Sequence, residues 1–348
     1  MIHTAELITP ITEGEFFTLL NQEKTTCKND TITSRVLAAA GFKVITAYIY
    51  RCGEVMQYFC EMQINLKRIA NNGKPALALF KGTEKEIKNL SLNFEKYLAP
   101  ILPLRANLKE WYLRRIDYAI DIKTPFVEEY IALLQRGNKP PFTSIDNNTQ
   151  HRTEIEKTHF NGSVRYKGNT VVVNIYDKYK ERTKKRNGTY KQIQEAKNTL
   201  RVEIQCMKPK VKYIKKKLGF NNTIYPYLCT TEAEKIISYY IKPIAGSGDY
   251  YTKERAFTLI DESKIKQETK ERLKAFLEQV NQKKSVWKIR TTQGEKQYQV
   301  CMRKLKELGI NPVTIPRRYK IKKLPNISAF CTCIMQPTEN KKQEKIKK

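Results

Sequence analysis

Three short segments of this chain put residues that can do chemistry on one side of an extended backbone. In Val171-Val172-Val173-Asn174-Ile175-Tyr176-Asp177-Lys178, the apolar Val171, Val173 and Ile175 alternate with Asn174, Tyr176 and Lys178. That is the period of a strand, whose successive side chains point to opposite faces. In 115–122, Asp117 and Asp121 share one face while Ile116, Ile120 and Ile122 take the other. In 200–205, Glu203 lies opposite Leu200, Val202 and Ile204. If the three strands belong to one sheet, a tyrosine, a lysine and three carboxylates converge on its polar face. Tyr176 and Lys178 are therefore the candidate catalytic residues, and Asp117, Glu203 and Asp121 the candidate metal ligands.

The chemistry open to such a set is phosphodiester exchange. A tyrosine hydroxyl can store the bond as a covalent ester, and its phenolate is an acceptable leaving group for the reverse step. Free tyrosine has a pKa of about 10 and needs help at neutral pH. A lysine favours developing negative charge, and a divalent ion polarises the phosphate. Carboxylates are the ligands that Mg²⁺ or Mn²⁺ prefers. Plainer roles stand beside each of these. The chain has 20 tyrosines, so any one is more often packing than catalysis, and Tyr179 and Tyr166 compete with Tyr176. Asp117 and Glu203 can pair with Arg114, Arg115 or Arg201, and Asp121 can form a turn.

The elements that must position these residues follow from periodicity and punctuation. Strands are expected over 2–9, 42–50, 55–64 and 154–160, with a hairpin turn at Arg51-Cys52-Gly53-Glu54. Thr83 followed by Glu86 is a capping-box pattern ahead of Ile87, Leu90, Phe94 and Leu98, which predicts a helix over 84–99 ended by Pro100. A second helix is expected to open with Pro125 at its first position. Further helices are expected over 15–21, 208–218, 230–243, 263–281 and 294–308, and in part of 177–197 around a break near Asn187-Gly188. Loops are expected over 22–33 and 137–150. This order gives an α+β fold: a central antiparallel sheet with helices on one face, plus a smaller, mainly helical C-terminal domain. The division expected is 1–225, 226–335 and a charged tail over 336–348.

Composition narrows the partners. The 65 Lys and Arg against 35 Asp and Glu leave a net charge of +30, spread along the chain, for which a polyanion such as nucleic acid is the natural complement. No apolar run approaches the roughly 18 residues of a spanning helix, and no secretory signal opens the chain. No membrane partner and a cytoplasmic location are therefore expected. The eight cysteines include no CxxC pair, and Cys331-Thr332-Cys333 lacks a matching second half, so reduced structural thiols are expected rather than zinc. The lysine run from Lys208 to Lys217 reads either as a solvated helix face or as a track for a phosphate backbone. Tyr213 and Tyr190, interleaved with cations, are of a type that stacks unpaired bases.

Several of these blocks, in this order and spacing, resemble the rolling-circle replication initiators of filamentous phages and, more distantly, the plasmid initiators that share their nicking domain. The blocks are Arg115-Ile116-Asp117, then Val173 to Lys178, then Leu200-Arg201-Val202-Glu203-Ile204, then Tyr213 to Phe220, with a helix running into Leu308-Gly309-Ile310. They are scattered over roughly 110 to 315; the first hundred residues match only in general layout. The resemblance implies a Rep- or relaxase-like nicking domain in 1–225 and a basic DNA-binding or accessory domain after it. It implies Tyr176 as nicking residue, leaving a 5′-phosphotyrosyl link and a free 3′-OH, with Asp117 and Glu203 at the metal. Single-stranded and duplex origin DNA, with a host helicase and polymerase, are the implied partners. Many rolling-circle nickases hold the metal with a histidine-hydrophobic-histidine motif. Here His3, His151 and His159 are the only histidines and form no such pair, so carboxylates must serve. Two rival readings remain: an origin- or operator-binding protein without chemistry, and a tyrosine recombinase, which needs no metal.

Overall fold

A computed structural model describes residues 1–20, 31–32, 35–137, 140, 162–185 and 189–335. Eight strands form one curled sheet: β1 (Ile2–Ile11), β2 (Thr31–Ile32), β3 (Phe42–Cys52), β4 (Val55–Ile64), β5 (Tyr112–Lys123), β6 (Ser163–Lys167), β7 (Val171–Asp177) and β8 (Thr199–Cys206). Their order is β2-β3-β4-β1-β5-β8-β7-β6, and every neighbouring pair is antiparallel. The three strands with alternating chemistry are thus adjacent, as β5, β8 and β7. Register aligns their polar positions: Glu203 stands between Ala119 and Asn174, and Arg201 between Asp121 and Tyr176.

The other face of the sheet is apolar and carries most of the helices. Ala5, Leu7, Met62, Ile64, Ile116, Tyr118, Ile120, Val173, Ile175, Val202 and Ile204 are all buried. Helix Glu84–Leu98 begins where Thr83 accepts the Glu86 N–H and buries Leu90, Phe94 and Leu98. Phe94 packs against Phe42 and Trp111. Burying each such side chain stabilises by about 1.5–3 kcal/mol, and truncating Phe94 to alanine would cost about 3–5 kcal/mol. Helix Lys208–Leu218 buries Val211 and Ile214 and stops at Gly219, whose φ of 66° is the left-handed cap glycine adopts without strain. Beyond the expected division near 225, helix Thr230–Ala245 lies on β5 and β8 and joins the same continuous core. Helices Lys253–Glu262, Gln267–Lys283, Val286–Gln293, Glu295–Glu307 and Ile327–Met335 complete this part, with a short ribbon of β9 (Tyr250–Tyr251) and β10 (Lys323–Leu324).

Several element boundaries differ from the sequence reading. The second helix spans Val127–Leu134 with Phe126 as its N-cap. Pro125 lies in the turn before it, where Thr124 Oγ1 accepts the Phe126 N–H. The helix expected over 263–281 starts at Gln267, because Ser263 caps the end of a separate helix, Lys253–Glu262, whose own N-cap is Thr252. Thr31–Ile32, in the expected loop 22–33, pairs with β3. The expected strand 154–160, the break at 187–188, most of loop 137–150 and the tail 336–348 lie outside the described residues. No described helix is long and apolar enough to cross a membrane.

Candidate functional site

The polar faces of β5, β8 and β7 floor a cleft of about 1190 Å³. Helix Lys178–Lys185 contributes Lys178, Glu181, Arg182 and Lys184 to its lining and helix Tyr190–Glu195 contributes Gln192; Ala38 and the segment Pro75-Ala76 also line it. A register shift in the β1–β5 pairing between Ile2 and Thr4 marks a bulge. Such an extra residue re-aims side chains, and both His3 and Thr4 reach the polar face here. Thr4 Oγ1 donates to Asp117, and His3 Nδ1 lies 2.9 Å from Glu203 Oε2.

Tyr176 sits near the end of β7 and lines the cleft. Its hydroxyl donates to Glu203 Oε2 at 3.3 Å. Burial first, and then the Glu203 charge, hold its phenol well above 10. One residue on, the strand turns into a helix because Asp177 Oδ1 accepts the N–H groups of Tyr179 and Lys180, satisfying donors the first turn leaves open. Lys178 is consequently the first residue of helix Lys178–Lys185. It is only 4% exposed and lies at the helix end where the dipole disfavours a cation. Burial, and then the charge of Arg201, push its ammonium down to about 8, against the pull of Glu181. Its Nζ contacts Glu181 at 2.8 Å and lies 5.5 Å from the Tyr176 ring centroid. A buried lysine in an unfavourable place is characteristic of sites where charge is used.

The three acids differ sharply. Glu203 is 5% exposed and takes a hydrogen bond from Gln205 Nε2 at 2.9 Å besides that of Tyr176. Burial pushes its carboxyl up, but His3, Gln205 and Arg201 outweigh it and hold the group ionised, well below the usual range. Asp117, 1% exposed, commits both oxygens to Arg115, at 2.8 Å each, with Thr4 on one of them. Burial leaves its carboxyl raised. Asp121 likewise holds Arg201 in a two-pronged contact, both distances 2.6 Å. Hence two of the three expected metal ligands already bind guanidinium groups, and among the described residues no three His, Cys, Asp or Glu converge as a metal-holding group. The three-acid set in this arrangement does not fit a metal.

Of the competing tyrosines, only Tyr176 faces the cleft. Tyr166 pairs with Val173 on the other side of the sheet, and its hydroxyl donates to the Leu134 carbonyl at 2.9 Å. Tyr179 sits one residue into helix Lys178–Lys185, with Lys197 Nζ 5.6 Å from its ring centroid. The sequence reading missed His3, which the bulge delivers beside Glu203. Its Nδ1 approaches Glu203 Oε2 at 2.9 Å, and burial pushes the imidazole down to about 4 against the pull of that carboxylate. The reading also missed the cations of the walls. Seven Lys and Arg line the cleft, Lys43, Arg68, Arg165 and Arg182 among them, against Asp117, Glu181 and Glu203. Such a surplus favours an anionic occupant. The chain matches no protein-family model, no curated protein and no solved structure.

Proposed function

We propose that the chain is a DNA strand-transfer enzyme, cutting and rejoining one strand through Tyr176, and that it serves to start rolling-circle replication. The observation that carries this reading is the Tyr176 hydroxyl, 3.3 Å from the Glu203 carboxylate, in a cleft lined by seven Lys and Arg. The cations of the walls hold the backbone phosphates. The Tyr176 oxygen bonds to phosphorus as the bond from phosphorus to the 3′ oxygen breaks. The phenol proton passes to Glu203. That carboxylate is a weak base, and it accepts the proton only as the new O–P bond makes the phenol oxygen acidic. The departing 3′ oxygen takes a proton from the Lys178 ammonium. Resealing runs the same steps backward, with phenolate as leaving group. The order of the motif blocks around Tyr176 supports the replication role, and the helical part after 225 is assigned the duplex.

A second reading, strand binding without cutting, is favoured by one observation: burial and the Glu203 charge keep the phenol protonated. A pool of single-stranded oligonucleotides incubated with the full chain in Mg²⁺ or Mn²⁺ separates the two. The expected result is a denaturant-resistant adduct whose DNA-bearing peptide contains Tyr176, absent in Tyr176→Phe and retained in Tyr179→Phe. Binding without any adduct selects the second reading.

A further inference from the structure

On the helical side of the molecule, away from the cleft, a lysine stands among three tyrosine rings. Helices Lys208–Leu218 and Thr230–Ala245 both pack on β5 and β8, whose opposite faces floor the cleft. Lys210 Nζ lies 4.7 Å from the Tyr213 ring centroid, 5.9 Å from Tyr239 and 5.3 Å from Tyr240. Lys217 Nζ lies 6.0 Å from the Tyr213 ring centroid. Tyr213 is 55% exposed and Tyr239 69%. Tyr239 is braced edge-on against Tyr240, with centroids 5.0 Å apart. Helix Lys208–Leu218 carries six lysines and no acidic residue.

Exposed rings usually interrupt a charged surface singly. Two of them flanking one lysine, on a helix of unrelieved positive charge, give both elements that unpaired nucleotides require: flat faces for bases and cations for the phosphates between them. A duplex keeps its bases stacked inside and offers these rings nothing. We propose that Lys210, Tyr213 and Tyr239 form a second nucleic-acid surface, which binds single-stranded DNA by stacking. Two bases lie on the two exposed rings, and the lysines of helix Lys208–Leu218 track the backbone. This surface is independent of the chemistry assigned to Tyr176.

The test is fluorescence anisotropy of a labelled 20-nucleotide oligo(dT), performed in the Tyr176→Phe background so that no adduct forms. Stacking on a tyrosine contributes enough that each ring removed should weaken binding roughly 5- to 100-fold. The double variant Tyr213→Ala/Tyr239→Ala is expected to lose at least about 25-fold on oligo(dT), and Tyr213→Phe/Tyr239→Phe to stay within about threefold of the parent. Duplex binding by the alanine pair is expected to hold. Equal losses on strand and duplex, or a phenylalanine pair as weak as the alanine pair, overturn the proposal. So does oligo(dT) affinity unchanged by the alanine pair. A readout without substitutions covers the case in which the alanine pair misfolds: photocrosslinking of the parent protein to a 5-iodouracil-substituted strand. The crosslinked peptides must contain Tyr213 or Tyr239, and crosslinks confined to other peptides reject the surface.

Discussion

The Tyr176 hydroxyl donates to Glu203 Oε2 at 3.3 Å, and the same carboxylate oxygen has His3 Nδ1 at 2.9 Å. An ionised carboxylate beside a buried phenol stabilises the protonated form and opposes phenolate. Glu203→Gln removes that charge, so the Tyr176 phenol is expected to titrate at lower pH than in the parent protein. The check is a phenolate absorbance titration of Glu203→Gln, with Glu203→Gln/Tyr176→Phe subtracted to isolate the one tyrosine. An unshifted curve would mean that burial alone sets the phenol. Strand cutting by Glu203→Gln is expected to drop by about 10²–10⁴-fold, the usual contribution of a positioned proton acceptor.

Lys178 gives a pH dependence whose sign can be worked out. Its ammonium is pushed from 10.5 down to about 8 in the folded protein, by burial and by Arg201, with Arg182 also against it and Glu181 in its favour. Between those two values the unfolded chain holds a proton that the folded chain sheds, so this group makes stability rise with pH across that window. Lys178→Met is therefore expected to be more stable than the parent at pH 7, with an advantage that shrinks towards pH 10.5. Urea unfolding midpoints at both ends of the window measure it. The cutting rate is expected to fall as pH passes about 8 in the parent. In Lys178→Arg that fall should move to higher pH; an identical alkaline limb would assign it to another group.

Strand binding in the cleft should be steeply salt-dependent. Neutralising roughly 6–10 phosphates makes affinity fall about 10³–10⁵-fold between about 50 and 200 mM salt. Arg165 is exposed on the cleft wall, so Arg165→Gln should reduce the slope of log affinity against log salt by about 0.7, the single-strand value for one phosphate contact, and weaken all sequences alike. A slope that does not change places the phosphate contacts elsewhere.

Much of this site was readable from period alone. Alternation assigned Asp117, Asp121, Glu203 and Tyr176 to polar faces, and the register of β5, β8 and β7 puts those faces side by side. What alternation does not carry is which polar neighbour a side chain chooses. Asp117 and Arg115 are two apart on one strand, and Asp121 and Arg201 face each other across two. The first pairing follows from the same alternation, since residues two apart on a strand share a face; the second depends on sheet register, which no local pattern states. His3 was hidden for a different reason. A bulge breaks the alternation at the very residue it re-aims, so a period-two reading assigns His3 to the wrong side of β1. Helix Lys178–Lys185 is blurred by its composition, since Lys178, Lys180, Glu181 and Arg182 leave no apolar stripe to mark its start; Asp177, which caps it, falls both in the strand pattern 171–178 and in the partly helical stretch 177–197.

The two arginine contacts separate a structural role for the acids from a metal-binding one. Arg201 is 2% exposed, and its guanidinium is matched by Asp121, itself 27% exposed at the side chain, with the Leu77 carbonyl as a further acceptor at 3.3 Å. Asp121→Asn leaves a buried cation without its counter-charge. Breaking such a pair costs roughly 3–5 kcal/mol, and the partial exposure of Asp121 places the expected loss at the low end of that range. Asp117→Asn should cost less, because Arg115 retains Glu6 as a partner. Both losses should be seen in urea unfolding with EDTA present. If instead Asp121→Asn unfolds like the parent in EDTA but no longer gains stability from added Mn²⁺, Asp121 is a metal ligand and its contact with Arg201 is incidental.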